Sequence, residues 1–142
     1  MPRGLDHIVH AVADLDGAAQ IYRQLGFTVG ARNRHPWGTH NHIVQLPGFF
    51  IELLTLAEPD KMTGDVFSEN FGAYNRDFVD RGDGLSMLVL ESNNAKDDET
   101  AFRSAGIAAS EATRFDRDAK KPDGTPVKVA FTLAFAHDKQ AL

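Results

Sequence analysis

Glu52 is a charged residue inside an otherwise apolar segment, Phe49-Phe50-Ile51-Glu52-Leu53-Leu54. Burying a carboxylate costs free energy unless the group is paired, bound to a metal or turned towards water. The segment therefore predicts either a carboxylate that is paired or takes part in chemistry, or a charge on the solvent side of an edge strand. In the first case Glu52 is able to accept and return a proton.

A second apolar segment, residues 5–12, contains two histidines. Its side chains are expected to alternate between two faces, as in a β-strand. Leu5, His7, Val9 and Ala11 are expected on one face and Ile8, His10 and Val12 on the other. His7 is interpreted either as a half-buried strand histidine or as a ligand. His10 faces the predicted helix and is interpreted as a core histidine.

A two-residue turn at Pro47-Gly48 predicts the register between residues 40–46 and 49–55. That register pairs Ile43 with Glu52. It predicts one shared face for Asn41, Gln45, Phe50, Glu52 and Leu54. Gln45 is then interpreted as a cavity residue. The side chain of His42 is expected on the other face unless a β-bulge changes the register, so His42 is a second-rank candidate for substrate binding.

The loop from Arg32 to His40 combines basic and aromatic side chains with Pro36 and Gly38. Such loops often line ligand pockets. We expect Trp37 to stack on a substrate and Arg34 to meet an anionic group on it. The alternative is a long hairpin loop with Trp37 folded onto the sheet.

The elements that must position these side chains are repeated along the chain. Residues 4–27 and 84–107 resemble each other at an offset of 80, each reading as an apolar strand, a capped helix and a glycine stop. The predicted organisation is a first module over 1–57, a linker over 58–83 packed on the core by its aromatic residues, and a second module over 84–142. In the first module a strand is expected over 27–31. In the second, strands are expected over 107–115 and 127–136, and the last strand is missing.

Composition excludes several classes of protein. With 20 acidic and 15 basic residues, a net charge of -5 argues against nucleic-acid binding. No apolar run is long enough to span a membrane, and no signal sequence is apparent, so a cytoplasmic location is expected. The chain has no cysteine, so a metal would need histidine, carboxylate or amide ligands.

The repeated unit resembles the vicinal oxygen chelate superfamily, which includes glyoxalase I, extradiol dioxygenases, methylmalonyl-CoA epimerase and the bleomycin resistance proteins. The residues that carry the resemblance are Leu5-Asp6-His7-Ile8-Val9, Asp14-Leu15-Asp16, Tyr22-Arg23-Gln24-Leu25-Gly26-Phe27 and Phe50-Ile51-Glu52-Leu53-Leu54. The loop His35-Pro36-Trp37-Gly38-Thr39 is similar to the bacterial glyoxalase-like branch. The resemblance implies an α+β fold of tandem βαβββ modules curled into an open barrel.

The same resemblance implies that His7 and Glu52 are ligands of a divalent metal, namely zinc, nickel, manganese or ferrous iron. A lyase or isomerase step on a small carbonyl or dioxygen-bearing substrate would follow, with Glu52 moving the proton. The second module departs from the pattern, because the position equivalent to His7 is Met87, or Ser86 if the register shifts by one residue. Two alternatives therefore stay open: a small-molecule binding protein without catalysis, and a half-site completed by a partner chain, most simply in a homodimer.

Overall fold

The computed structural model describes residues 3–120 and 123–137, and the chain divides into two compact units, Met1–Glu91 and Ser92–Leu142. The predicted α+β class is confirmed. The described strands form three separate sheets of five, two and two strands, so no closed barrel is present in this part of the chain. None of the described helices is long and apolar enough to cross a membrane.

The first unit contains one five-stranded sheet with helices. Its elements are β1 (Leu5–Ala11), α1 (Leu15–Gln24), β2 (Asn33–Arg34), β3 (Thr39–Leu46), β4 (Phe49–Leu56), a 3-10 turn (Pro59–Lys61), a π-helix (Ser68–Ala73), α2 (Tyr74–Val79) and β5 (Gly84–Leu90). The strand order is β2-β3-β4-β1-β5. β4 therefore lies between β3 and β1, at the centre of the sheet.

Helix α1 covers one face of this sheet, called here the outer face. Asp14 accepts a hydrogen bond from the Gly17 N–H at 3.0 Å and so caps the helix. The helix buries Leu15 and Ala19 against side chains of β3 and β4 and the residue after β1. This core cluster consists of Val12, Leu15, Ala19, Val44 and Leu53. Because Val44 and Leu53 pack against α1, the residues next to them on β3 and β4 point to the opposite face of the sheet.

The opposite face of the sheet, called here the inner face, is partly covered by the segment between β4 and β5. The π-helix and α2 occupy this segment, and Phe71 is buried there. Phe67 contacts Trp37 edge-on, with ring centroids 4.4 Å apart. Aromatic side chains of this segment thus contact Trp37 and each other, and the linker role expected for residues 58–83 stays a prediction.

The internal repeat is visible in the pairing of β1 with β5. These strands are antiparallel, and Ile8 pairs with Leu88, its equivalent at the offset of 80. On either side, His7 pairs with Val89 and Val9 pairs with Met87. The register is therefore symmetric about the Ile8–Leu88 pair. Because β5 belongs to this sheet, the boundary between the compact units lies after Glu91, whereas a module boundary was expected before residue 84.

The second unit begins with α3 (Ala95–Ser104), which Asn94 caps, and continues with four strands. These are β6 (Ala108–Ala109), β7 (Thr113–Lys120), β8 (Pro126–Leu133) and β9 (Ala136–His137). β7 pairs with β8, and β6 with β9. The residues after His137 lie outside the described part of the chain.

Three predicted strands need correction. The strand expected over 27–31 is only an isolated bridge between Val29 and Val44, because few backbone hydrogen bonds tie it to β3. The strand expected over 107–115 is divided into β6 and β7. Between them the Ala112 N–H donates to the Glu99 carboxylate at 2.9 Å rather than to a neighbouring strand. The strand expected over 127–136 is divided into β8 and β9.

Candidate functional site

Glu52 lies on the inner face at the centre of the five-stranded sheet, and only 6% of its surface is exposed. Ile43 of β3 is its antiparallel partner, as the hairpin turn predicts, and Val9 of β1 is its parallel partner. The predicted register is confirmed. The possibility that Glu52 is a solvent-facing charge on an edge strand is wrong, because β4 has a neighbour on both sides.

The two oxygens of the Glu52 carboxylate have different partners. Asn41 Nδ2 donates to Oε1 at 2.5 Å, while His7 Nε2 lies 3.6 Å from Oε2. Burial by itself raises the pKa of Glu52, but the contact with His7, the nearby His35 and the hydrogen bond from Asn41 outweigh burial and lower it. Glu52 is therefore an anion at neutral pH, although it is buried.

His7 is held between two carboxylates. Its Nδ1 lies 2.5 Å from Asp6 Oδ1, its Nε2 faces Glu52, and its ring stacks on Phe50 with centroids 4.4 Å apart. Burial lowers the pKa of His7, but Glu52 and Asp6 together raise it above its usual value of 6.5. The Asp6 carboxylate can only accept, so Nδ1 carries a proton and Nε2 is the atom that exchanges one.

A chain of polar side chains extends from Glu52 along β3 and β2. Asn41 Oδ1 accepts from Asn33 Nδ2 at 2.9 Å, and Asn41 Nδ2 lies 3.3 Å from His35 Nε2. His35 Nδ1 is in turn 2.8 Å from the Thr39 hydroxyl. Sequence reasoning placed Asn41 on this face but assigned no role to Asn33, His35 or Asp6. Asp6 precedes His7 directly in the sequence, and Asn33 and His35 belong to the loop that was expected to line a pocket.

Trp37 lies at the far end of this chain. Its ring stacks on His35 at 4.7 Å, and it contacts Phe67 and Phe71 edge-on. The structure thus connects Trp37 to Glu52 through His35 and Asn41, next to the segment that covers the inner face. Whether Trp37 stacks on a substrate stays a prediction.

The other predicted pocket residues are more distant from Glu52 or lie on the other face. Gln45 is on the inner face but is exposed at the end of the hairpin, where its amide donates to the Leu46 and Phe49 carbonyl groups. Arg34 pairs with His40, so its side chain belongs to the outer face and is exposed. The structure therefore does not bring Arg34 to Glu52.

His42 also lies on the outer face, as the predicted register requires. Its Nδ1 donates to the Gly30 carbonyl at 2.8 Å. Its Nε2 is buried without a hydrogen bond, 3.5 Å from an oxygen of Asp16. Since the sheet separates the two side chains, His42 and Glu52 do not share one site.

His7 and Glu52 provide two of the donors that a divalent metal requires. A nitrogen and an oxygen bound tetrahedrally at about 2.1 Å each would lie about 3.4 Å apart, which is close to the 3.6 Å observed. The carboxylate on the second nitrogen of His7 is the usual companion of a metal-binding histidine. Among the described residues, however, no group of three or more histidine, aspartate or glutamate side chains is arranged to hold an ion. Further ligands would have to be water, substrate or amide oxygen.

Comparison with known proteins agrees with this fold. A family described as "Glyoxalase-like domain" matches residues 5–142. A search of curated proteins gives no match. Among solved structures, a hypothetical protein from Staphylococcus aureus is 18% identical with a TM-score of 0.71, over 98% of this chain and 54% of that one. The chain thus spans about half of that protein's length.

Two further solved structures share the fold. Methylmalonyl-CoA epimerase from Mycobacterium tuberculosis is 19% identical with a TM-score of 0.58, over 94% of this chain and 86% of that one. Hypothetical protein BH1468 from Bacillus halodurans C-125 is 14% identical with a TM-score of 0.58, over 100% of this chain and 99% of that one. At these identities the likeness concerns the fold alone.

Proposed function

The chain belongs to the glyoxalase-like domain family, and from this premise we propose that its first unit is a metal-dependent lyase or isomerase site for a small substrate bearing a carbonyl or paired oxygens. His7 and Glu52 would hold the ion: zinc, nickel, manganese or ferrous iron. The observation that carries the proposal is the buried Glu52 anion facing His7 Nε2, while Asp6 occupies the other nitrogen.

The side chains of this site suit proton transfer next to a carbonyl group. A bound divalent ion would polarise the substrate carbonyl. The Glu52 carboxylate is the base that would accept a proton from the adjacent carbon and return it to the other side of that carbon or to oxygen. Because the inner face shields Glu52 from water, its charge acts in a medium of low polarity.

Proton release on metal binding follows from the same contacts. In the metal-free protein Glu52 favours the charged form of His7 and raises its pKa. His7 must lose its Nε2 proton before that nitrogen can bind an ion. Metal affinity is therefore expected to increase as the pH rises through the raised pKa of His7.

Metal content tests the proposal directly. The protein, purified without chelator or histidine tag, is analysed by plasma mass spectrometry beside the His7→Ala and Glu52→Gln variants. His10→Ala is the matched control, since His10 lies on the same strand but bonds to the Tyr22 hydroxyl on the outer face. About one ion per chain or per dimer, lost in the first two variants and kept in the control, supports the proposal. A metal-free wild-type protein that also fails to take up added zinc, nickel, manganese or iron refutes it.

A second candidate function is binding of a small molecule without catalysis. Two observations favour it: among the described residues no group of three or more histidine, aspartate or glutamate side chains is arranged to hold an ion, and Met87 occupies the position that repeats His7. Native mass spectrometry of the metal-free protein would then reveal a retained organic ligand. Retention of that ligand in the Glu52→Gln variant would separate simple binding from chemistry at Glu52.

A homodimer that completes the site is the third arrangement to test. β5 is at the end of the strand order of the five-stranded sheet, and an edge strand of this kind is a usual pairing surface. Analytical ultracentrifugation gives the mass in solution. A dimer whose metal content is one ion per two chains would favour shared ligands, whereas a monomer that binds one ion refutes sharing.

A further inference from the structure

The segment before β2, residues 28–32, is joined to the sheet by sparse backbone contacts. Among the described residues, the Gly30 N–H donates to the Ile43 carbonyl at 2.8 Å, and the Gln45 N–H reaches the Thr28 carbonyl at 3.4 Å. The segment leads directly into β2, which lies beside the candidate site. Side-chain contacts that hold this segment therefore also determine how firmly β2 and the loop after it are held.

Three side chains on the outer face make such contacts, and they are called here the clasp: Asp16 of α1, Arg32 of the segment and His42 of β3. His42 Nδ1 lies 2.8 Å from the Gly30 carbonyl oxygen. Arg32 Nη1 donates to Asp16 Oδ2 at 2.9 Å. His42 Nε2 lies 3.5 Å from Oδ1 of the same carboxylate. The clasp thus joins the segment both to α1 and to β3.

The contacts of His42 leave one proton missing from the neutral ring. A carbonyl oxygen only accepts, so Nδ1 carries a proton and donates it to Gly30. Nε2 of the neutral ring is then an acceptor, and it faces an oxygen of Asp16 that is also an acceptor. No described residue forms a hydrogen bond with Nε2, and this atom is closed off from water. A second proton on Nε2 resolves the conflict, because the charged ring donates from both nitrogens.

His40, two residues earlier on the same face, is satisfied as a neutral ring. Arg32 Nε donates to His40 Nδ1 at 3.1 Å, so Nδ1 carries no proton. His40 Nε2 donates to Glu58 at 2.7 Å, and this hydrogen bond, together with Lys61, lowers the pKa of Glu58 to about 2. Glu58 therefore stays an anion and keeps this contact. Among the described residues, the charged and titratable groups around His42 are Asp16, Arg32, His40, Glu58 and Lys61.

We propose that the clasp is a protonation switch, in which a proton on His42 Nε2 holds residues 28–34 against α1 and β3 and loss of that proton loosens them. The charged ring bonds to the Gly30 carbonyl and the Asp16 carboxylate at the same time. Hydrogen bonds from a charged donor are stronger than those from a neutral one. Because the closed clasp holds a proton that the loosened segment does not, a lower pH favours the closed form.

The switch acts on the candidate site through β2. Asn33 of β2 donates to Asn41, and Asn41 donates to Glu52 on the inner face. A loosened β2 therefore weakens the support of this polar chain. Neither His7 nor Glu52 belongs to the clasp and no metal takes part in it, so the inference goes beyond the proposed function and holds or fails independently of it.

Amide hydrogen exchange, followed by NMR at about pH 5.5 and about pH 8.5, tests the proposal. The reporters are the Gly30 and Gln45 amides, and the Val12 amide, which donates to the Leu54 carbonyl elsewhere in the sheet, is the reference. After correction for intrinsic exchange rates, reporter protection relative to the reference should be about threefold to tenfold higher at the lower pH. The effect is this small because the carboxylate of the clasp is largely exposed and screened by water.

Asp16→Asn separates the switch from other titrations. The asparagine oxygen still accepts from Arg32, while its NH₂ group donates to Nε2 of the neutral His42 ring. The pH dependence of relative protection should therefore disappear. Helix α1 keeps its cap, because Asp14 is the capping residue. If Asp16→Asn does not fold, His42→Gln gives the same test, since glutamine at this position has no charge to gain.

His10→Ala is the matched control. His10 is also on the outer face, but it bonds to the Tyr22 hydroxyl rather than to the clasp. The pH dependence at Gly30 and Gln45, relative to the same reference amide, should remain in this variant.

Nitrogen-15 spectra of the histidine rings give a second readout of the same proton. The neutral His42 ring should carry its proton on Nδ1, and both nitrogens should be protonated at the lower pH. The neutral His40 ring should carry its proton on Nε2. These patterns, with a pH-dependent protection that Asp16→Asn abolishes, support the switch. Relative protection that agrees within twofold at the two pH values, a pH dependence that persists in Asp16→Asn, or a His42 ring that stays neutral at both overturns it.

Discussion

Replacing His7 by alanine should destabilise the first unit in a way that depends on pH. The substitution removes the charged partner of Glu52 and the ring that stacks on Phe50, and it leaves a buried carboxylate behind. Removing one partner of a buried ion pair commonly costs about 3–5 kcal/mol. Asn41 still bonds to Glu52 in the variant and the ion pair is 3.6 Å long, so we expect a smaller loss, about 2–3 kcal/mol near pH 5.5.

The sign of the pH dependence follows from the two shifted pKa values. The pKa of His7 is raised above 6.5, so its contribution to stability is complete below 6.5 and is lost as the pH rises through the raised value. The pKa of Glu52 is lowered below 4.5, so its contribution is complete above 4.5 and is lost as the pH falls through the lowered value. The pair therefore stabilises the fold most between about pH 4.5 and 6.5.

Above its raised pKa the wild-type imidazole is neutral, and the variant then loses only packing and neutral contacts. We expect the free-energy cost of His7→Ala to be smaller at pH 9 than at pH 5.5 by about 1.5 kcal/mol, the difference between a charged and a neutral contact. Urea denaturation followed by tryptophan fluorescence measures this cost. The chain has a single tryptophan, Trp37, which lies in the first unit, so the signal reports on the unit that contains the site.

His10→Ala is the control with the opposite sign. Burial lowers the pKa of His10, and the nearby Asp83 only partly opposes this. The folded protein therefore resists charging His10, and the wild type loses stability from this source as the pH falls below 6.5. The cost of His10→Ala should then decrease as the pH falls, whereas that of His7→Ala increases. A flat pH profile for His7→Ala, or the same slope for both variants, would refute the assignment of His7 and Glu52 as a charged pair.

Three further predictions concern the surroundings of the site. Asp6→Ala removes the carboxylate on His7 Nδ1 and should weaken zinc binding by about 10–100-fold, measured by titration with a competing chelator. Met87→His adds an imidazole on the inner face diagonally across from His7 and should tighten zinc binding by about tenfold or more, an increase that a side chain pointing away would not give. Gly38→Ala should destabilise more than Gly48→Ala in thermal unfolding followed by circular dichroism. Both glycines have positive φ, which costs alanine about 1–2 kcal/mol, but only at Gly38 would the added Cβ meet the Glu58 carbonyl oxygen.

The parts of the fold that the sequence predicts well are those fixed by local chemistry. A two-residue turn leaves one register for β3 and β4, so the shared face of Asn41 and Glu52 follows directly. The repeat at an offset of 80 predicts β5 and α3 because the strand pattern, the capping residue and the glycine stop are all repeated. Gly26 and Gly106 both have positive φ, as a helix stop of this kind requires.

The contacts that were not predictable depend on irregular backbone. Neighbouring residues of a regular strand point to opposite faces, so Asp6 is not expected to reach His7. β1 has an irregular register between Leu5 and His7, and this irregularity accompanies the contact of the two side chains. Asn33 belongs to a strand of two residues, which has too short a pattern to be found in the sequence. Arg34 points to the outer face because that short strand pairs residue by residue with β3.

The buried position of Glu52 identifies the candidate site, although only His7 and Glu52 are candidate metal ligands. Leu53 and Leu54 beside it are fully buried, and an apolar residue at position 52 would fit the same strand without any need for Asn41, Asn33 or His7 to be polar. Replacing a buried ion pair by apolar residues is often neutral or stabilising by about 1–4 kcal/mol. Stability of the sheet therefore does not require this group of side chains. Polar residues on four neighbouring strands instead contact one another in sequence and bring one carboxylate oxygen and one imidazole nitrogen face to face. Such an arrangement suits binding or proton transfer.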